Sequence, residues 1–306
     1  MARIFIDGDS GTTGLEIRER LAGRKDLEVV SIARELRKDA GAKRDLLASV
    51  DVAILCLPDE AARETVQLCD ALGESAPRLL DASTAHRVAP GWVYGFAELA
   101  AGQAEQIARA ARVANPGCYA TGAIALLRPL VDAGLVPADM AVTINAVSGY
   151  SGGGRQMIEA YEQGAAPPFE LYALILEHKH LPEIAAYARL SAPPLFVPSV
   201  GNFRQGMLVS IPLHLDALPG RSKAADLENA LARRYAGARH VRTLPAPQTA
   251  RLDATALNGT DDMELYVFAN EAKRQAVLVA RLDNLGKGAS GAAVQNLALM
   301  LGGSGA

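Results

Sequence analysis

Cysteine, runs of positive charge and long apolar stretches are all scarce in this chain of 306 residues, and each shortage excludes a class of function. The three cysteines, Cys56, Cys69 and Cys118, are odd in number, far apart and form no C-x-x-C pair. That pattern supports neither a disulfide framework nor a thiolate zinc site, so any special cysteine acts alone. With 31 Lys and Arg against 34 Asp and Glu, the formal net charge is -3, and no run of cations forms a basic stripe. Nucleic acid is therefore not the expected partner. No window reaches the roughly 18 apolar residues of a membrane span, and the opening MARIFIDGDSG has no cationic segment leading into an apolar one. A small-molecule ligand, no membrane and a cytoplasmic location are expected. The chain also lacks internal repeats and low-complexity linkers.

What is present is a globular composition, half hydrophobic, large enough for two cores. The first third alternates apolar runs with helical spacing: ARIFID (2–7), TTGLEIRERLAG (12–23), LEVVSIA (27–33), DVAILCLPD (51–59), AARETVQLCDALG (61–73) and PRLLDAS (77–83). Such alternation predicts a parallel, doubly wound α/β sheet of Rossmann type. A helix over 98–111 leads to RVANPGC, and 119–134 predicts a strongly apolar helix closed by Gly134. Beyond it, strand candidates at 140–155, 206–215, 240–244, 264–271 and 276–284, with a helix at 222–236, predict an α+β domain with a mixed or antiparallel sheet. Residues 286–303 read as a last helix after a Gly and Ser start. Pro-rich patches at 166–168, 193–198 and 245–247 read as surface loops. The expected division is 1–117 for a nucleotide domain, 118–283 for a catalytic and oligomerisation domain, and 284–306 for a C-terminal helix.

Between the first strand and first helix, GDSGTTG places Gly8, Gly11 and Gly14 three apart. Glycine permits positive φ and close approach of a pyrophosphate, the helix start supplies N–H donors, and Ser10, Thr12 and Thr13 add hydroxyls. The end of the second strand, SIARELRKD, carries Arg34, Arg37 and Lys38 with no acid before Glu35, which points to the extra phosphate of NADP or else to a solvated basic loop. Asp9 suits a phosphate site only if its side chain turns away.

Cys118 lies between turn residues and a helix in NPGCYATG. A thiolate there is stabilised by the helix dipole and by unpaired N–H groups, which could also hold an oxyanion. The competing reading is a small buried residue, as Cys56 and Cys69 are expected to be. A nucleophilic cysteine needs a proton-transfer partner, and ILEHKHLPEI offers His178 and His180 on one side of an extended segment. A metal site and a solvated polar loop are the rival readings for that pair. SGYSGGGRQ, with Ser148, Ser151 and Arg155, is a second anion cradle or a plain hairpin.

Taken in order, GDSGTTG, DAST-HR, YGFAEL, NPGCYAT, SGYSGGGR, EHKHLPEI and DNLGKGASGAAVQN resemble N-acetyl-gamma-glutamyl-phosphate reductase of arginine biosynthesis, in its shorter form, over nearly the whole chain. That family is related to aspartate-semialdehyde dehydrogenase and, more distantly, to glyceraldehyde-phosphate dehydrogenase. The resemblance implies an NADP(H)-dependent reduction of an acyl phosphate to an aldehyde, with Cys118 carrying a thioester. One of His178 and His180 would act as acid/base, His180 by preference, and the other would hold substrate. It also implies Ser83 and Asn284 near the cofactor, and Asn115, Ser148, Gly149 and Arg155 near the substrate. No metal is implied, and assembly as a homodimer or homotetramer is. Reductases of related acyl phosphates, a thiol hydrolase and a nucleotide sensor are the alternatives.

Overall fold

A computed structural model describes residues 1–37 and 39–303; Lys38 lies outside the described residues. In chain order the first elements are β1 (Ala2–Asp7), α1 (Thr12–Leu21), β2 (Leu27–Val30), α2 (Ala40–Leu47), β3 (Val52–Leu55), α3 (Asp59–Asp70), β4 (Arg78–Asp81), β5 (Val93–Tyr94), α4 (Gln103–Arg109) and β6 (Arg112–Ala114). There follow α5 (Cys118–Asp132), β7 (Thr143–Gly149), α6 (Gly154–Glu162), β8 (Phe169–Leu171), α7 (Leu181–Ala188), β9 (Leu195–Gly201), β10 (Met207–His214), α8 (Ala224–Arg234), β11 (Val241–Thr243), β12 (Met263–Asn270), β13 (Gln275–Leu282) and α9 (Gly291–Met300). Two compact units result. One holds Met1–Ala97, Gly102–Pro116 and the segment from Ala289, the other Glu98–Ala101 and Gly117–Gly288.

The first unit is a six-stranded sheet in the order β2-β1-β3-β4-β6-β5, parallel at every pairing. All four residues of β3 are buried, as a strand covered on both faces requires. On one side Ile4, Ile6, Ile17 and Ile54 join Ala293 and Leu297 of α9; on the other Phe5, Leu55, Val66 and Leu79 pack together. The last helix thus completes the core of the first unit.

The second unit is a seven-stranded mixed sheet, β11-β12-β13-β10-β7-β9-β8. Along β10, Met207, Val209, Ile211 and Leu213 are buried, alternating with more exposed neighbours, as a strand with one covered face requires. α5 packs over β10 and β13, and α8 over β12.

Three expectations need correction. The Pro-rich patch at 193–198 is not a surface loop: β9 begins at Leu195 and lies inside the sheet, parallel to β7. Pro198 lies within this strand, its carbonyl accepting the Tyr172 N–H at 3.2 Å from the side of the edge strand β8. The histidine segment is not extended: the Leu181 N–H returns to the His178 carbonyl, and His180 caps α7. SGYSGGGRQ is not a hairpin either, since a single turn at Tyr150–Gly153 leads straight into α6.

Candidate active site

The glycine turn is shaped by sterics that only glycine meets. Gly8 has φ +92°, and a Cβ there would lie 2.2 Å from the Cys56 carbonyl oxygen at the end of β3. A Cβ on Gly14 would lie 2.3 Å from the Gly8 carbonyl. β1 therefore passes tightly into α1, whose N-cap is Gly11 with no side chain over the first N–H groups. Thr12 and Thr13 open that helix. Beside the turn is a cavity of about 450 Å³, bounded by Gly8 and Ser10, by Ile32 and Arg37 after β2, and by Leu57 and Leu68 beyond β3. An anion-binding helix start next to a partly apolar cleft at the carboxyl ends of parallel strands fits a dinucleotide. Arg37 belongs to this cavity; Arg34 is exposed in a single turn and does not line it. Asp9 also borders this cavity, its carboxylate neutralised by Arg18 and Arg37. Ser83 is buried and engaged with Asp81: its N–H donates to Oδ1 at 2.9 Å and its hydroxyl to Oδ2 at 2.7 Å. Asn115 is buried between the Ala289 carbonyl, to which it donates, and Asn296, from which it accepts, both at 3.0 Å.

In the second unit, Gly117 caps α5 and Cys118 is the first residue of the helix. Glu183, on α7 and almost fully buried, reaches back to this turn: the Gly117 N–H donates to its Oε2 at 3.1 Å. Its Oε1 lies 3.9 Å from His180 Nε2. One carboxylate therefore joins the cysteine turn to the histidine turn. The His180 N–H donates to His178 Nδ1 at 3.1 Å, which puts the proton of a neutral His178 ring on Nε2. Both rings are buried and stand at 81° with centroids 4.7 Å apart, packed against Tyr119 and, for His178, Phe196. Tyr119 donates to the Ser199 carbonyl at 3.0 Å and accepts from Tyr172 at 3.2 Å. Burial, with the nearby Cys118 adding to it, pushes the Tyr119 phenol far above its ordinary pKa and keeps it neutral.

His178 and Lys179 line a small cavity of about 110 Å³ with Tyr119, Ser148, Gly149 and Met157. Gly149 is required there, because a Cβ would lie 2.5 Å from the Arg204 carbonyl. The buried Ser148 hydroxyl donates to the Gly149 carbonyl at 3.0 Å. Arg155 stands away from this polar cluster: its side chain is 81% exposed and pairs with Glu159 one turn along α6. Asn284 is buried, accepts the Gly206 N–H and donates to Ser151, each at 2.9 Å. Gly288 leaves room for Cys118, since a Cβ on it would meet the Cys118 Cβ at 2.8 Å. Among the described residues, no group of three or more His, Cys, Asp or Glu is placed to hold a metal ion. Glu183, Tyr119, Tyr172 and Lys179 were not singled out by sequence; the one hint was Glu183 following the histidine pair.

Comparison with known proteins shows the family. A family model described as "Semialdehyde dehydrogenase, dimerisation domain" matches residues 118–284. N-acetyl-gamma-glutamyl-phosphate reductase 2 of Pseudomonas putida is 55% identical over 305 residues, covering 98% of this chain and 96% of the relative. The N-acetyl-gamma-glutamyl-phosphate reductase of a Chelativorans species is 54% identical, covering 99% of each. The chain belongs to the N-acetyl-gamma-glutamyl-phosphate reductase family. The fold of this family member is also that of aspartate semialdehyde dehydrogenase II of Vibrio cholerae, with TM-score 0.74, 14% identity and 98% of each chain covered. A second such enzyme, from Candida albicans and crystallised with NADP, superposes with TM-score 0.67 at 13% identity.

Proposed function

We propose that the chain reduces N-acetyl-gamma-glutamyl phosphate to N-acetylglutamate 5-semialdehyde, releasing phosphate and using NADPH, as a step of arginine biosynthesis. The observation that carries the chemistry is the Glu183 carboxylate, which ties the turn presenting Cys118 to His180. A carboxylate near an imidazole favours its protonated form, and a protonated imidazole beside a thiol favours the thiolate. Cys118 attacks the acyl carbon, phosphate leaves with its bonding electrons, and a thioester forms. First-turn N–H groups of α5, pointing out of the helix start, suit the oxyanion of that step. Bound NADPH supplies a hydride to the thioester carbonyl. His180 delivers the proton to the resulting alkoxide and takes it back as the thiohemiacetal collapses to aldehyde and the Cys118 thiolate. His178, facing the small cavity beside Lys179, orients the substrate, and its Nε2–H is a donor for it. Arg155, exposed and paired with Glu159, would have to swing away from that partner to reach the carboxylate or phosphate end of the substrate.

The glycine turn and its cavity would hold the dinucleotide, with the pyrophosphate on the start of α1 and the adenosine end toward Arg37. Three cysteines outside any disulfide support a reducing compartment, the cytoplasm. A second copy would cover the open face of the seven-stranded sheet, where Val147, Leu208, Phe268 and Val277 line a broad depression of about 700 Å³. Exposed Phe169 and Leu171 on β8 extend that apolar face.

The direct test is phosphate-dependent oxidation of N-acetylglutamate semialdehyde with NADP, run beside aspartate semialdehyde. Turnover of the first is expected; turnover of aspartate semialdehyde alone would sink the substrate assignment.

A further inference from the structure

Asp9 and four neighbours form a charged cluster that the reaction itself does not require. The Asp9 side chain is 13% exposed and held from two sides, by Arg18 Nη1 at 2.9 Å and Arg37 Nη2 at 2.8 Å. Arg18 also donates to the Ser31 hydroxyl at 3.0 Å, and Arg37 Nη1 reaches the Ser10 hydroxyl at 3.4 Å. The Ser31 hydroxyl lies 3.5 Å from Asp9 Oδ2. Three separate pieces of the first unit meet here: the glycine turn, the first helix and the segment after β2.

We infer that Arg18, together with Arg37 and Ser31, binds the 2′-phosphate of NADPH, and that Asp9 is the resting counter-ion this phosphate displaces. The inference rests on the cofactor reading above. Two guanidiniums and the Ser31 hydroxyl converge on a single carboxylate, leaving an excess of one positive charge. A phosphate monoester brings more negative charge and three acceptor oxygens, so it satisfies the same donors better than one carboxylate can. Both arginines remain substantially exposed, 48% for Arg18 and 40% for Arg37, and ion pairs of that kind contribute little, so Asp9 exchanges at small cost. While unliganded, Asp9 keeps both forks pointing at one locus, which reduces the ordering required on binding. Lys43, which also lines the cavity, is committed to the buried Asp7 at 2.9 Å. A cofactor lacking the phosphate offers only a hydroxyl, which can donate to Asp9 but cannot replace it on the arginines.

Calorimetric titration of the full chain with NADPH, NADH, 2′-AMP and 5′-AMP tests this without turnover. Arg18→Ala is expected to weaken NADPH and 2′-AMP by roughly tenfold or more while leaving NADH and 5′-AMP within about twofold. Asp9→Asn is expected to tighten NADPH and 2′-AMP and leave NADH no tighter. If the wild type binds no NADPH, the cofactor reading fails and takes this inference with it. If NADPH binds but Arg18→Ala weakens NADPH and NADH alike or neither, or Asp9→Asn weakens NADPH, the inference alone is overturned.

Discussion

Cys56, Cys69 and Cys118 carry the same thiol in three settings. Burial pushes Cys56 up to about 12 and Cys69 up to about 11, with nearby aspartates adding to both. Raised values mean that both stay protonated up to pH 8 and beyond, leaving at most about a thousandth as thiolate at that pH. Cys118 has a different setting, as the first residue of α5, where the helix dipole and the first-turn N–H groups favour a thiolate. Iodoacetamide at pH 7.5, followed by peptide mass mapping, is expected to label Cys118 alone. Glu183→Gln is expected to slow that labelling by removing the carboxylate that links the cysteine turn to His180; an unchanged rate contradicts that role. The sequence pointed to Cys118 and the histidines because dipeptide context and local spacing carry that signal. Glu183 stayed hidden as a partner because it meets Gly117 across 66 residues, a pairing that only the folded second unit creates. Asp9 was noticed as an awkward acid, yet nothing local told that Arg18, a helical surface position by pattern, turns toward it.

Among elements, the β1–α1 turn was the most legible, since three glycines between a strand and a helix have few other physical uses. Its tolerance is correspondingly narrow. Gly8→Ala places a methyl against the Cys56 carbonyl and forces a non-glycine residue to φ +92°, which costs about 1–3 kcal/mol for the backbone conformation alone. A urea midpoint lowered accordingly, together with much weaker NADPH binding, is the expected result; full stability and affinity would show that the turn tolerates a Cβ. Elements were misread where proline or polar residues obscured a tertiary role. Pro193, Pro194 and Pro198 made β9 look like a loop, although the strand pairs with β7 along its whole length, Pro198 opposite Ala146. The histidine pair looked extended because the cap of α7 begins at His180, one residue inside the motif.

For the whole molecule, the two-part plan was readable from the switch between alternating βα units and longer strands around α5. The last helix packs into the first core, a placement its own sequence does not dictate, because α9, nearly all apolar, would be buried equally well elsewhere. The open face of the seven-stranded sheet is a property of the assembled strands: Val277 and Phe169 are apolar yet 37% and 56% exposed. If a second copy covers that face, Val277→Asp puts a charge into an apolar interface. Analytical ultracentrifugation is then expected to show wild-type chain as dimer or larger and the variant shifted toward monomer; a monomeric wild type would remove the proposed interface.

The central claim is that Cys118 carries the acyl group. Mixing the protein with N-acetyl-gamma-glutamyl phosphate and no NADPH, then quenching in acid for intact-mass and peptide analysis, reads that step alone. The wild type is predicted to release one phosphate per chain and to hold one acyl group on the Cys118 peptide, while Cys118→Ser holds none. An acyl group on another residue, or turnover by Cys118→Ser at the wild-type rate, would contradict the covalent route.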